Sequence, residues 1–368
     1  MARQAIAILS TENLLHNLNI LKSHAPNSKV IAMVKANAYG HGLRSTAIKL
    51  QEYVDMLGVA SIDEALALRK VGIKIPIMLA EGVFEANEIV IAASEGFHIV
   101  FHHQQQIDWI ENSIIQIPIN AWIKINTGMG RLGFELEEAK KHYETLSSSN
   151  KIKKPIRIMS HFACADEKEH ELNHIQMDNF KEFIKDLDSE YSICNSAGIF
   201  NFPDMHYDYI RPGLALYGAT PIAGKSAKEL GLKPVMHLQT NLIAINHMKK
   251  GQSIGYGSRY ICPEDMNVGV IAFGYGDGYP RSIDEGTPIL VGNIECKIIG
   301  KVSMDMISID LRNHKKAKLG DEVVLWGNNL PVEKIAQYSA NINYDILTGV
   351  QNRVKFFWTN SHNGNNNS

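Results

Sequence analysis

In the stretch VIAMVKANAYGHG, residues 30–42, an apolar run ends in a lysine and the chain then turns through asparagine, tyrosine and glycine. A lysine at the end of a strand ordinarily faces solvent. Lys35 instead sits between a continuous apolar run and a tight turn carrying Tyr39. An amine held in such a mouth is partly desolvated, which makes it nucleophilic and able to condense with a carbonyl group. Further on, NSAG and RPGLALYG put Asn195 and Ser196, then Arg211, Gly213 and Leu214, into turns of small residues. Backbone N–H groups and a serine hydroxyl in such turns can cradle a phosphate, although a glycine pair is also ordinary turn chemistry. Lys124, Arg131 and His161 add cationic or proton-carrying groups between these stretches.

The elements that must position these residues are legible as a rhythm. Up to about residue 233, short apolar runs alternate with amphipathic segments. The runs are VIAMVK (30–35), MLGVAS (56–61), IPIMLA (75–80), FHIVF (97–101), AWIKIN (121–126), IRIMSHF (156–162), YSICN (191–195) and YDYIR (207–211). They are mostly continuous in hydrophobicity, as expected of strands covered on both faces. IDEALALRKVG, FEANEIVIAASEG and MDNFKEFIKDLDSE have helical spacing, and two of them end at a glycine suited to a C-cap. Eight strand–helix units predict an N-terminal (β/α)8 TIM-type barrel of the α/β class, with an open doubly wound sheet as the alternative. In such a barrel the C-terminal strand ends carry the chemistry, and Lys35, Lys124, His161, Asn195 and Arg211 all fall there. An imine-forming lysine beside a phosphate cradle points to pyridoxal 5'-phosphate as cofactor.

After residue 233 the texture changes to short β-type segments punctuated by Gly and Asp, with VEKIAQYSA as one late helical pattern. This predicts a barrel over 1–233 and a mainly β C-terminal domain over 234–368, with the N-terminal strand 1–9 a candidate to join the latter. The tail NSHNGNNNS is expected to fray. The chain has 368 residues, 45% hydrophobic and 21% charged, with a net charge of −2. These values fit a globular protein and offer no basic stripe for nucleic acid and no polybasic patch for a membrane. The N-terminal stretch lacks the apolar core of a signal peptide and no run is long enough to span a bilayer, so a cytoplasmic location is expected. Four scattered cysteines form no C-x-x-C pair. His161, Asp166, His170 and His174 lie close in sequence, but without a clear third ligand or an H-E-x-x-H pattern no metal site is expected.

Several blocks, in order and suitably spaced, resemble the alanine racemase family: VKANAYGHG, KINTGMGRLG, SHFACAD, NSAG, RPGLALYG, GYGSRY, GYGDGYPR and VSMDMISIDL. The resemblance covers most of the chain. It implies a racemase interconverting L- and D-alanine for peptidoglycan, with Lys35 carrying pyridoxal 5'-phosphate and Tyr256, from the partner subunit of a homodimer, as the opposite base. A phenol ionises near pH ~10 in water, so His161 and Arg211 are expected to tune it. Arg211 is implied to face the pyridine nitrogen, and Tyr39, Ser196, Gly213 and Leu214 to hold the phosphate. Arg131 and the Met304 backbone are implied to take the substrate carboxylate. Asp305, Asn195 and Tyr275 are supporting residues, and Lys124 is a lysine often carbamylated in the family. Two departures stand out: Asn126 where many relatives have Asp, and Asn352 where some have a phosphate-contacting tyrosine. A related decarboxylase would be expected to have a carboxylate in place of Arg211, and barrel-only cofactor-binding proteins lack the β domain.

Overall fold

The computed structural model describes residues 3–359; the tail read as frayed, from residue 360 on, lies outside them. The apolar runs become eight parallel strands: Lys29–Met33, Met56–Val59, Ile77–Leu79, His98–Phe101, Ile119–Lys124, Ile152–Met159, Tyr191–Ser192 and Tyr209–Ile210. The first seven pair in sequence order, and the eighth returns to the first through Tyr209–Lys29 and Ile210–Val30. The gap between the seventh and eighth closes at one bridge, Asn195–Arg211, where Arg211 N–H donates to Cys194 O at 3.0 Å. These last two strands are much shorter than the runs YSICN and YDYIR suggested, because residues 193–196 and 211–214 bend away to form turns at the mouth.

Inside the barrel, Ile31, Met33, Met56, Met78, Val100, Trp122, Met159 and Tyr209 form a packed layer. Each fully buried large side chain contributes roughly 1.5–3 kcal/mol. The helices Ile62–Lys70 and Ala86–Glu95 fall where the spacing predicts, and Gly96 ends the second in the left-handed region. The third expected helix begins earlier, at Glu171, because the His170 ring caps it by accepting from Leu172 N–H at 3.2 Å. Among the described residues no helix is long and apolar enough to cross a membrane.

In the second domain Met236–Met248, Met266–Ile271, Ile307–Asp310, Ile294–Ile299, Pro288–Val291 and Glu322–Trp326 pair antiparallel in a closed ring. The strand Ile6–Ser10 pairs antiparallel with the long first strand of that ring and parallel with Lys355–Thr359. The predicted helix VEKIAQYSA is only Val332–Ala336, and a second helix, Asn343–Thr348, comes after it unannounced. The helix Thr11–His24 ties the domain crossover: Asn17 bonds both the O and the N of Lys233 at 2.8 Å, and Asn13 donates to Pro234 O at 2.7 Å.

Candidate active site

A cavity of about 1170 Å³ opens at the C-terminal end of the barrel strands. Lys35 reaches it two residues beyond the first strand, and the chain then enters a left-handed turn. Ala36, Asn37, Ala38 and Tyr39 have φ of 53°, 55°, 54° and 51°. Such a conformation costs about 1–2 kcal/mol per non-glycine residue, so the turn holds on the order of 5 kcal/mol of strain. Several hydrogen bonds hold it. Glu64 accepts from Ala36 N–H at 2.9 Å and Ala60 N–H at 2.8 Å, Asn37 Oδ1 accepts from Leu43 N–H at 2.9 Å, and His41 Nδ1 lies 2.9 Å from Tyr39 O. Burial pushes the His41 imidazole down to about 4, so it is neutral at pH 7. Lys35 Nζ itself pairs with Glu81 Oε1 at 3.0 Å, a contact that sequence reasoning missed.

The turn aims Tyr39 across the mouth. Its ring stacks on Tyr217 with centroids 5.0 Å apart, and burial raises its hydroxyl above the usual phenol range. A Cβ at Gly213 would come within 2.3 Å of Tyr39 Oη, so only glycine fits there. Ser196 Oγ accepts from Gly213 N–H at 2.8 Å and Ala215 N–H at 3.3 Å, and Asn195 caps the helix Ser196–Asn201 by accepting from Gly198 N–H. Tyr39, Ser196, Gly213 and Leu214 thus line one end of the cavity together. Tyr344 lines it too, its ring 6.0 Å from that of Tyr39. No sequence motif announced Tyr344.

Arg211 is buried and spends its guanidinium on Ser192 Oγ and Ser160 O, both 2.6 Å away, and on His161 Nδ1 at 3.2 Å. Burial pushes Arg211 down to about 10, still a cation at neutral pH. Burial, then Arg211, Lys124 and Arg131, hold His161 well below the usual histidine range, so it is neutral. Burial, with Arg211 and Arg131, lowers Lys124 to about 8. This cationic inner end, with a serine and amide cradle beside it, fits a ligand carrying a phosphate and an aldehyde for Lys35. Arg131 lines the same cavity on a loop stapled by Asn126, whose Oδ1 accepts from Gly128 and Gly130 N–H and whose Nδ2 donates to Glu135 at 2.7 Å.

Of the second domain, Tyr344 reaches this cavity within one chain, but the expected residues Tyr256, Tyr275, Met304 and Asp305 do not. Tyr256 is 71% and Met304 52% exposed, and neither they nor Tyr275 nor Asp305 line it. Met304, Asp305 and Tyr275 are held in place all the same. Gly276 N–H donates to Met304 O at 2.9 Å, Arg353 bridges Asp305 and Asp277, and Arg281 lies over the Tyr275 ring at 5.4 Å. Asn352 is exposed and does not line the cavity either.

Family models for the alanine racemase N-terminal domain and C-terminal domain match residues 9–221 and 235–358. The chain belongs to the alanine racemase family. It is 42% identical over 356 residues to the alanine racemase of Legionella pneumophila (strain Lens), covering 97% of this chain and 100% of that one. The crystal structure of biosynthetic alanine racemase from Pseudomonas aeruginosa superimposes with a TM-score of 0.94 at 38% identity, covering 97% and 99% of the two chains. That of alanine racemase from Bartonella henselae, with covalently bound pyridoxal phosphate, does so with 0.87 at 29% identity, covering 97% and 99%.

Proposed function

We propose that this protein is a cytoplasmic, pyridoxal 5'-phosphate-dependent alanine racemase that interconverts L- and D-alanine, supplying D-alanine for peptidoglycan. The juxtaposition of the Lys35 amine, the Ser196–Gly213 cradle and buried Arg211 in one cavity carries the reading. Lys35 would hold the cofactor, with Tyr39, Ser196, Gly213 and Leu214 around its phosphate and Arg211 at its ring nitrogen. When bound, the cofactor supplies an aldehyde that condenses with amines and a ring that draws electrons from the substrate α-carbon.

The chain's residues then divide the work. Arg131, with the Met304 backbone of the partner subunit, binds the substrate carboxylate through charge-assisted hydrogen bonds. Lys35 Nζ, once freed by the substrate amine, takes or returns the α-proton on one face, and Tyr256 of the partner subunit does so on the other. His161, with Arg211 3.2 Å from its Nδ1, would be the hydrogen-bond partner of the Tyr256 hydroxyl. Lys124, lowered toward neutrality, is the form of amine that carbon dioxide can carbamylate, which would give Arg131 an anionic neighbour. A homodimer is inferred from the exposure of Tyr256 and Met304, which only a second chain can bring to the barrel mouth. The test is incubation with L-alanine and a panel of L-amino acids in deuterated water, followed by chiral analysis. D-alanine carrying solvent deuterium at the α-carbon, with no carbon dioxide released, is expected. Release of carbon dioxide, or no change in configuration, would overturn the reading.

A further inference from the structure

Glu81 has no part in the chemistry above, yet its Oε1 lies 3.0 Å from Lys35 Nζ and it lines the same cavity. A half-exposed ion pair is ordinarily worth ~0–1 kcal/mol because both side chains wander. Here the carboxylate is carried on a loop that is fixed peptide by peptide. Gly82 N–H donates to Leu79 O at 3.0 Å, His102 Nε2 lies 2.9 Å from Glu81 O, and Gln106 Nε2 donates to Val83 O at 3.0 Å. Gly82 has φ +75°, and a Cβ on it would run into Gln106 Nε2 at 2.3 Å and Val100 O at 2.4 Å. Lys124, Arg131, Arg211 and His161 line the same cavity, as do the carboxylates Asp166 and Glu333. Glu81 opposes the repulsion of the cations at Lys124.

We propose that Glu81 is a positioning residue for Lys35, holding its amine at the cavity mouth and acting as counter-charge to the ammonium formed when that amine takes a proton from the substrate. The proposal rests on the function proposed above. In that step the Nζ lone pair takes the α-proton, the C–H electron pair stays with the substrate carbon, and the ammonium gives a proton back in the reverse direction. The carboxylate holds Nζ back from an incoming aldehyde and stands beside it when it takes a proton, so the contact has two effects of opposite sign. It slows condensation of the resting amine with an aldehyde and assists the proton transfer to Lys35.

Glu81→Gln keeps the shape and removes the charge. Protein stripped of cofactor is mixed with pyridoxal 5'-phosphate at pH 7 and uptake is monitored by absorbance, with borohydride fixation and mass spectrometry locating the label. Kinetic isotope effects are then measured on the reloaded enzyme with α-deuterated L- and D-alanine separately. Uptake about 2–5-fold faster in the Gln variant is expected, the span given by a pair worth ~0.5–1 kcal/mol. The isotope effect should rise for one enantiomer only, with Glu81→Asp returning both readouts toward wild type. Uptake that is slower or unchanged, or isotope effects that stay the same or rise equally for both enantiomers, would overturn the role of Glu81. A borohydride label on wild-type protein at a lysine other than Lys35 would instead overturn the function on which it rests.

Discussion

His41 illustrates how a single residue can support the site without touching a ligand. It is fully buried, and its ring packs on Tyr217 while bonding the carbonyl of Tyr39. Burial lowers it to about 4 from an ordinary 6.5. The unfolded chain therefore binds a proton that the folded chain refuses between pH 6.5 and about 4. Stability attached to this residue is complete above pH 6.5 and is lost as the pH falls through that window. In urea titrations at pH 7 and pH 4.5, His41→Asn should lose about 2 kcal/mol less than wild type over the same interval. Equal losses would mean that His41 does not contribute to the acid sensitivity. Asn126 is the other instructive residue. Its Oδ1 makes two acceptor contacts to the Arg131 loop and its Nδ2 donates to Glu135. A carboxylate at 126 would face Glu135 with like charge.

At the scale of elements, the turn after the first barrel strand is the part least suggested by its sequence. Nothing in KANAY advertises four consecutive residues with positive φ, a conformation that local propensity disfavours and that Asn37 from within, and Glu64 and His41 from outside, hold in place. Ala36 is exposed at φ 53°, so Ala36→Gly should raise stability by about 1 kcal/mol, read as a higher midpoint in urea. The opposite wall makes the contrary point. Gly213 has no positive φ, yet a side chain there would displace the Tyr39 hydroxyl. Gly213→Ala should fold at a cost of about 1–3 kcal/mol and bind pyridoxal 5'-phosphate at least about tenfold more weakly by absorbance titration. Unchanged affinity would mean that Tyr39 and Gly213 do not form the cradle. The short strands Tyr191–Ser192 and Tyr209–Ile210 belong to the same economy, because ending them early is what frees Ser196 and Arg211 to turn inward.

For the whole molecule, the decisive fact is that Lys35 and Tyr256 do not meet within one chain. If each site takes Lys35 from one subunit and Tyr256 from the other, two inactive variants can rescue each other. Lys35→Ala and Tyr256→Phe should each lose most racemisation. Unfolding and refolding an equal mixture should restore about a quarter of wild-type activity, since half the dimers are hybrids with one intact site of two. No recovery would mean that both groups must come from the same chain. The seam between domains is as exacting, because a Cβ at Gly218 would sit 1.9 Å from Lys233 O and one at Gly40 equally close to Leu347 O. The sequence by itself determined the barrel, the β domain and the residues able to do chemistry, because strand and helix periodicities are local and the motifs are short and contiguous. It could not disclose Glu81 against Lys35, Tyr344 beside Tyr39 or the left-handed turn. The first two depend on contacts between residues dozens to hundreds of positions apart, and the turn partly on Glu64, 28 positions on; there burial and shape rather than spacing choose the partner.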